Sequence, residues 1–203
     1  MITLYHAPRS RASRFIFLLE ELGAPYELQE VSIRRGDGSG ALDPTNPHPH
    51  GKVPVIRDGD TIVHESAAIA LYLTDKFPAA SIGPAVGDAK RGAYLTWLAY
   101  YAGVMEPAWV SAFMKSDVPR GTAGWVKTDE VMALVNATLE KSPYILGEKF
   151  SAADILIGTT FQLFLGSPLL PKTDLLQAYV QRVIERPAYA RAQARENGCG
   201  ENG

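Results

Sequence analysis

The residues best placed to do chemistry are Ser10 and Ser13 in Ser10-Arg11-Ala12-Ser13, the dipeptide Val53-Pro54, and the pair Glu65-Ser66. The tetrapeptide falls where a predicted strand, Met1 to Tyr5, turns through Ala7-Pro8-Arg9 into a predicted helix. Unpaired N–H groups and a partial positive charge at a helix start favour an anion placed there. A redox protein of this topology would carry Cys-x-x-Cys at that point, where the helix start lowers a thiol's pKa. Both positions are serine here, so the chain keeps a thiolate-stabilising geometry without supplying the thiolate. The simplest use of such a site is to activate the thiol of a bound ligand, with Ser10 as the hydroxyl that does so and Ser13 as the runner-up. The plainer reading is that one of the serines only caps the helix.

Val53-Pro54 opens a predicted strand where proline removes a ladder donor, which makes the bond a candidate for the cis form. Free N–H and C=O groups beside it could pair with the backbone of a short peptide, as in strand addition. Glu65-Ser66 opens the next helix. One reading is a cap favoured by the helix dipole; the other is that Ser66 and the adjacent N–H groups hold a ligand carboxylate while Glu65 meets an ammonium. His48-x-His50 lies in a Pro-rich loop, and two histidines with no third ligand in the pattern do not make a metal site.

The elements that must position these residues are readable from periodicity. Phe15, Ile16, Leu18, Leu19 and Leu22 recur at helical spacing before Gly23 and Pro25, and Tyr26, Leu28 and Val31 then alternate with polar residues. That is a βαβ unit with a parallel pair. Arg34 to Asn46 has little periodicity, so any helix there is short or irregular. Val53–Ile56 and Thr61–His64 flank Arg57-Asp58-Gly59-Asp60, a hairpin cue, and Glu65 to Phe77 forms a helix closed by Pro78. From Ala79 to Gly87 the chain reads as a linker. Helices are then expected at Asp88–Met105, Gly124–Lys141, Ser151–Leu165, Asp174–Glu185 and Ala188–Glu196, separated by Pro107, Pro143, Pro168, Pro171 and Pro187.

The 203 residues are 46 % hydrophobic and 21 % charged, enough apolar mass for a sizeable core. Twenty Lys+Arg against 22 Asp+Glu give a formal charge of -2, which argues against affinity built on neutralising phosphates, in nucleic acid or at a membrane surface. Neither a membrane span nor a signal peptide is expected. The single cysteine, Cys199, excludes an internal disulfide framework and a multi-thiolate zinc site, and a reducing cytoplasm is the natural setting.

The chain resembles a cytosolic glutathione S-transferase of bacterial type over nearly its whole length. Leu4-Tyr5, Pro8, Ser10 and Leu18-Leu19-Glu20-Glu21-Leu22-Gly23 are similar to the family's first βα unit. Asn46-Pro47, Gly51-Lys52-Val53-Pro54-Val55 and Glu65-Ser66-Ala67-Ala68-Ile69 resemble its glutathione-site signature. Tyr144-Ile145-Leu146-Gly147 and Phe150-Ser151-Ala152-Ala153-Asp154-Ile155 resemble its buried helix start, where Ser151 and Asp154 would form a capping box with a folding role. Two stretches depart from the usual pattern: 46–51 is longer than the usual link, and 34–40 is unusual.

The resemblance implies an α/β plus all-α architecture. A thioredoxin-like glutathione-binding domain would span 1–78, a linker 79–87, and an α-helical bundle domain 88–203 with a flexible tail. Glutathione would be the co-substrate, with no metal, and the usual assembly is a homodimer. Val53 with Pro54 would pair with the cysteinyl backbone of glutathione, Glu65 and Ser66 would hold its γ-glutamyl end, and Lys52 would approach the glycyl carboxylate or lie at the rim. Ser10 matches the catalytic position of serine-type members. The helical domain would supply the second-substrate pocket, with Tyr101, Met105, Trp109 and Phe113 as candidates, though the same spacing suits a core. Tyr5 and His6 lie within the strand, where a structural role fits better. Arg9 and Arg11 suit either a ligand carboxylate or solvent. Three functions remain open: a transferase acting on small, largely apolar electrophiles, a glutathione-dependent disulfide reductase or peroxidase, and a non-catalytic binding module.

Overall fold

A strand that is buried at nearly every position belongs inside a sheet, and Ile2–His6 does. In the computed structural model, which describes residues 1–199, β1 (Ile2–His6) buries Ile2, Leu4, Tyr5 and His6. It pairs in parallel with β2 (Tyr26–Glu30) and antiparallel with β3 (Val55–Asp58). β3 pairs antiparallel with β4 (Thr61–His64), so the order is β2-β1-β3-β4. Asp58-Gly59-Asp60 makes the expected hairpin, with Gly59 at φ 58°, a conformation that glycine adopts without steric cost. Between β1 and β2, α1 (Ser13–Leu22) buries Phe15 through Leu19 and Leu22, then stops at Gly23, whose φ is 60° and whose N–H reaches the carbonyls of Leu19 and Glu20. After β4, α2 (Ser66–Lys76) buries Ile69, Ala70, Leu73 and Thr74. Residues 34–46 form turns with no helix, as their lack of periodicity implies.

The second compact unit, Ser81–Glu185, is helical. It contains α3 (Arg91–Tyr100), α4 (Glu106–Phe113), α5 (Thr128–Leu139), α6 (Ala152–Phe164) and α7 (Asp174–Ile184). Pro107, expected to separate two helices, instead sits in the first turn of α4. The five residues Tyr101–Met105 form a π turn between α3 and α4, and its shifted bonding absorbs the proline within a run that continues from 91 to 113. α6 is buried almost all round its first nine residues. Its Gly158 faces Val183 of α7 so closely that a Cβ would lie 2.8 Å from a Val183 methyl, so glycine sets the approach of the two helices.

The expected capping box is present. Asp154 accepts from the Ser151 N–H and hydroxyl (2.9 Å each), the Ile145 N–H (2.9 Å) and the Tyr179 hydroxyl (3.1 Å). Burial pushes its carboxyl up to about 6 against those hydrogen bonds.

α8 (Pro187–Cys199) departs from the expected division. The helical domain is expected over 88–203, whereas residues 186–199 group with Met1–Ala80. The reason lies in α1, whose outer side carries partners for α8. Arg186 makes a bidentate pair with Glu21 (2.5 and 2.9 Å), Arg191 pairs with Glu20 (2.8 Å), and Tyr189 meets Phe17 edge-on at 5.4 Å. α8 runs on past the expected end at Glu196 to Cys199, into the Gly/Asn segment expected as a flexible tail, and the rest of that tail, 200–203, lies outside the described residues. Among the described residues no helix is long and apolar enough to cross a membrane.

Candidate functional site

The strand register brings the three predicted segments to one end of the sheet. Tyr5 at the end of β1 is opposite Val55 at the start of β3, and Val55 is opposite His64 at the end of β4. The turn carrying Ser10, the dipeptide Val53-Pro54 and the pair Glu65-Ser66 therefore lie at the same end of the sheet.

Ser10 is half-buried in the turn before α1. Its Oγ accepts the Ala12 N–H at 3.1 Å, and the Ser13 N–H reaches the Ser10 carbonyl at 3.2 Å. This is the local capping bond of the plainer reading, and it leaves the hydroxyl hydrogen to donate elsewhere. An N–H bound to the oxygen also polarises the O–H it carries. Ser13 is differently placed, since its hydroxyl donates to Glu196 at 2.6 Å. Arg9, next to Ser10, has φ 55°.

Val53-Pro54, a candidate for the cis form in the sequence, is cis. Asn46 braces it from behind: its amide donates to the Lys52 carbonyl at 3.1 Å and its Oδ1 accepts the His48 N–H at 3.0 Å. The long link at 46–51 is thus folded back on itself, with the Gly51 N–H on the His48 carbonyl at 2.9 Å. Glu65 has φ 72° and ψ 126°, a conformation costing a residue with a side chain about 1–3 kcal/mol. Its side chain makes no cap bond and is 71 % exposed, while Ser66 begins α2 half-buried. The start of α2 therefore offers N–H groups that no Glu65 cap satisfies, beside an acid turned to solvent.

His48 and His64 join Glu65 in a cluster whose candidate ligand atoms all lie within 4.8 Å of one another, and His50 is not part of it. His48 Nδ1 accepts the His50 N–H at 3.0 Å. The neutral ring then carries its hydrogen on Nε2, the atom 4.0 Å from Glu65, and presents a donor there where a metal needs a lone pair. Burial, with His64 next in order, pulls the His48 pKa down, which keeps that ring neutral.

The chain matches the family models described as glutathione S-transferase, N-terminal domain, over residues 4–82, and glutathione S-transferase, C-terminal domain, over residues 100–187. The chain belongs to the glutathione S-transferase family. A glutathione S-transferase from Actinobacillus pleuropneumoniae superposes with a TM-score of 0.78 at 30% identity, covering 97% of this chain and 93% of that one. Glutathione S-transferase GstA of Escherichia coli O157:H7 is 26% identical over 91% of this chain and 93% of its own. The disulfide-bond oxidoreductase YfcG of Escherichia coli K12 is 29% identical over 76% of each chain. The fold is the family's, a thioredoxin-like domain followed by a helical one.

The four pocket candidates divide. Tyr101, Met105 and Trp109 are buried in the helical unit, and Tyr101 hydrogen-bonds Glu106 and Thr160. Tyr101 and Trp109 reach α6, where Trp109 meets Phe161 at 5.9 Å. Phe113 alone is exposed, at 71%. A cavity of about 740 Å³ does open in the helical unit, between the end of α4 and the start of α5, but its walls include Ala108, Ala112, Val118 and Trp125 and none of the four. Tyr5 is structural, its hydroxyl taking the Arg57 Nε–H at 3.0 Å. The residues that sequence reasoning missed are Asn46 as a brace, His48 as a neutral donor and Glu196 as the partner of the first turn. Asn46 was visible as part of Asn46-Pro47; nothing in the spacing of Glu196 marked it.

Proposed function

We propose that this chain is a glutathione transferase in which Ser10 holds the glutathione sulfur as a thiolate. The observation that carries this reading is the Ser10 hydroxyl at the start of α1, its oxygen fixed by the Ala12 N–H and its hydrogen left to donate. A hydrogen bond to a charged group contributes about 1.5–3 kcal/mol, or roughly one to two pK units, which moves a thiol near 8.5 toward neutrality. The thiol proton goes to solvent and no general base is required. The sulfur lone pair then forms a bond to an electrophilic carbon, and the leaving group departs with its own electron pair.

In the same reading Val53 and Pro54 pair with the cysteinyl backbone. Ser66 with the first N–H groups of α2 takes the γ-glutamyl carboxylate, Glu65 meets the ammonium, and Lys52, exposed at the rim, faces the glycyl end. Phe113 is the remaining candidate contact for an apolar second substrate. A homodimeric cytoplasmic enzyme with a detoxifying role accompanies the proposal, on the family's usual pattern, and light scattering in solution tests the dimer. The similarity to a disulfide-bond oxidoreductase favours one second reading, in which the bound thiolate attacks a disulfide sulfur and releases a thiolate.

The deciding experiment is an ultraviolet titration of bound glutathione in a Cys199→Ser background, followed by turnover with a halo-aromatic electrophile and with a small disulfide. A bound-thiol pKa near 6 to 7, against about 8.5 free, supports activation, and the preferred substrate separates the two chemistries. Binding with an unshifted pKa sinks the reading.

A further inference from the structure

The turn that carries Ser10 is held from far along the chain. Two short-range bonds shape it, from the Ala12 N–H to Ser10 Oγ and from the Ser13 N–H to the Ser10 carbonyl. Arg9 adopts φ 55°, which a residue with a side chain does not hold unless its surroundings fix it. Arg35 reaches the Pro8 carbonyl at 2.9 Å, but from an exposed loop. The partly buried anchor is Glu196 on α8. Its Oε1 accepts from His6 Nε2 at 3.0 Å, from the Arg9 N–H at 3.1 Å and from Ser13 Oγ at 2.6 Å. Those donors bracket Ser10 on both sides, and they lie 183 to 190 residues away from Glu196 in sequence. The facing group from the strand is His6, fully buried, and because a carboxylate only accepts, His6 Nε2 carries a hydrogen toward it.

We propose that Glu196 is a positioning residue for thiol activation: it fixes the Arg9-Ser10 turn so that the Ser10 hydroxyl meets the glutathione sulfur. This rests on the reading of Ser10 as the activating hydroxyl. Glu196 acts by the place of one oxygen and not by its charge. A carboxylate near the start of α1 opposes an anion there, so charge alone would hinder the thiolate. All three donors converge on Oε1, which the amide oxygen of glutamine reproduces, whereas aspartate keeps the charge and draws the oxygen back by one methylene.

The test uses the full chain in the Cys199→Ser background, with glutathione as the probe, and compares Glu196→Gln, Glu196→Asp, Glu196→Ala, Ser10→Ala and the Ser10→Ala/Glu196→Ala double variant. Glu196→Ala and Glu196→Asp are expected to raise the bound-thiol pKa part of the way to the free value. They should lower kcat about 5- to 20-fold, with the KM for glutathione within about threefold of the parent. Glu196→Gln should keep the parent's pKa or fall below it, and the double variant should be no slower than Ser10→Ala. If Glu196→Ala fails to fold, the contrast of Gln with Asp decides. The proposal is overturned if Asp behaves as the parent, if Gln is as damaging as Asp, or if the double variant is additive. A silent Ser10→Ala overturns the reading of Ser10 and this inference together; an active Ser10 effect with silent Glu196 variants overturns the inference alone.

Discussion

At the level of single residues the site holds two backbone positions in a conformation that costs stability, Arg9 and Glu65, each beside a serine expected to touch ligand. Glu65 allows that cost to be separated from its use. Glycine adopts φ 72° freely, so Glu65→Gly relieves about 1–3 kcal/mol of strain while adding roughly 0.5–1 kcal/mol of unfolded-state freedom. The variant should melt slightly higher than the parent, by about 1 kcal/mol in a denaturant titration. Loss of the charged contact should weaken glutathione about tenfold, read by calorimetry. An unchanged affinity would remove Glu65 from the site. Residue type marked Ser10, Val53, Pro54, Glu65 and Ser66 as candidates only in combination, because a serine at a helix start is equally an ordinary cap. The neutral tautomer of His48 was not legible, since it depends on one N–H two residues away meeting Nδ1.

Among the elements, periodicity identified every strand and all the long helices, and erred where a local device overrode it. Pro107 reads as a helix breaker, yet the π turn before it leaves the run intact. The spacing of the stripe from Tyr101 to Phe113 suits a pocket or a core alike, and only burial separates Phe113 from Tyr101, Met105 and Trp109. The capping box at the start of α6 was legible because Ser-x-x-Asp is a local signal, and its energetic weight follows from burial. Asp154→Ala would strand the Ile145 and Ser151 N–H groups and the Tyr179 hydroxyl. With each buried orphan costing about 1–3 kcal/mol, a loss of about 3–5 kcal/mol in the unfolding of the helical unit is expected, with Asp154→Asn milder. The contact of α8 with the first turn carries a pH signature. Burial pushes the Glu196 carboxyl up, but the hydrogen bonds from His6, Ser13 and the Arg9 N–H leave it below the ordinary glutamate value. A carboxyl lowered in the folded state contributes stability above its unfolded pKa and loses it as pH falls through the folded one. Glu196→Gln should therefore flatten the acid side of the stability profile below about pH 4.5, measured by urea midpoints at successive pH values.

Over the whole molecule, chain order and compactness disagree. The last helix follows the helical unit in sequence and belongs with the first unit in space. Composition shifts located the passage near residue 80, because strand signals end there. The return at Arg186 left no such mark, since a helix following helices looks the same whichever core it joins. What decides its place is complementarity with α1: acids at Glu20 and Glu21 against Arg191 and Arg186, and Phe17 against Tyr189. Breaking the bidentate pair with Arg186→Ala leaves Glu21, only 8% exposed, without that partner. A loss of about 1–3 kcal/mol is expected from such a half-buried pair. Ending the chain after Glu185 removes the pairs, the aromatic contact and the Glu196 anchor together. Amides of α1 and β1 should then exchange with deuterium at least about tenfold faster, while those of α6, which packs chiefly on α7 and α3, keep their protection. Glutathione affinity should fall with the first unit, although every residue proposed to touch glutathione remains in the shortened chain. Equal loss of protection in α1 and α6 would mean that the two units unfold as one, and that α8 supports both.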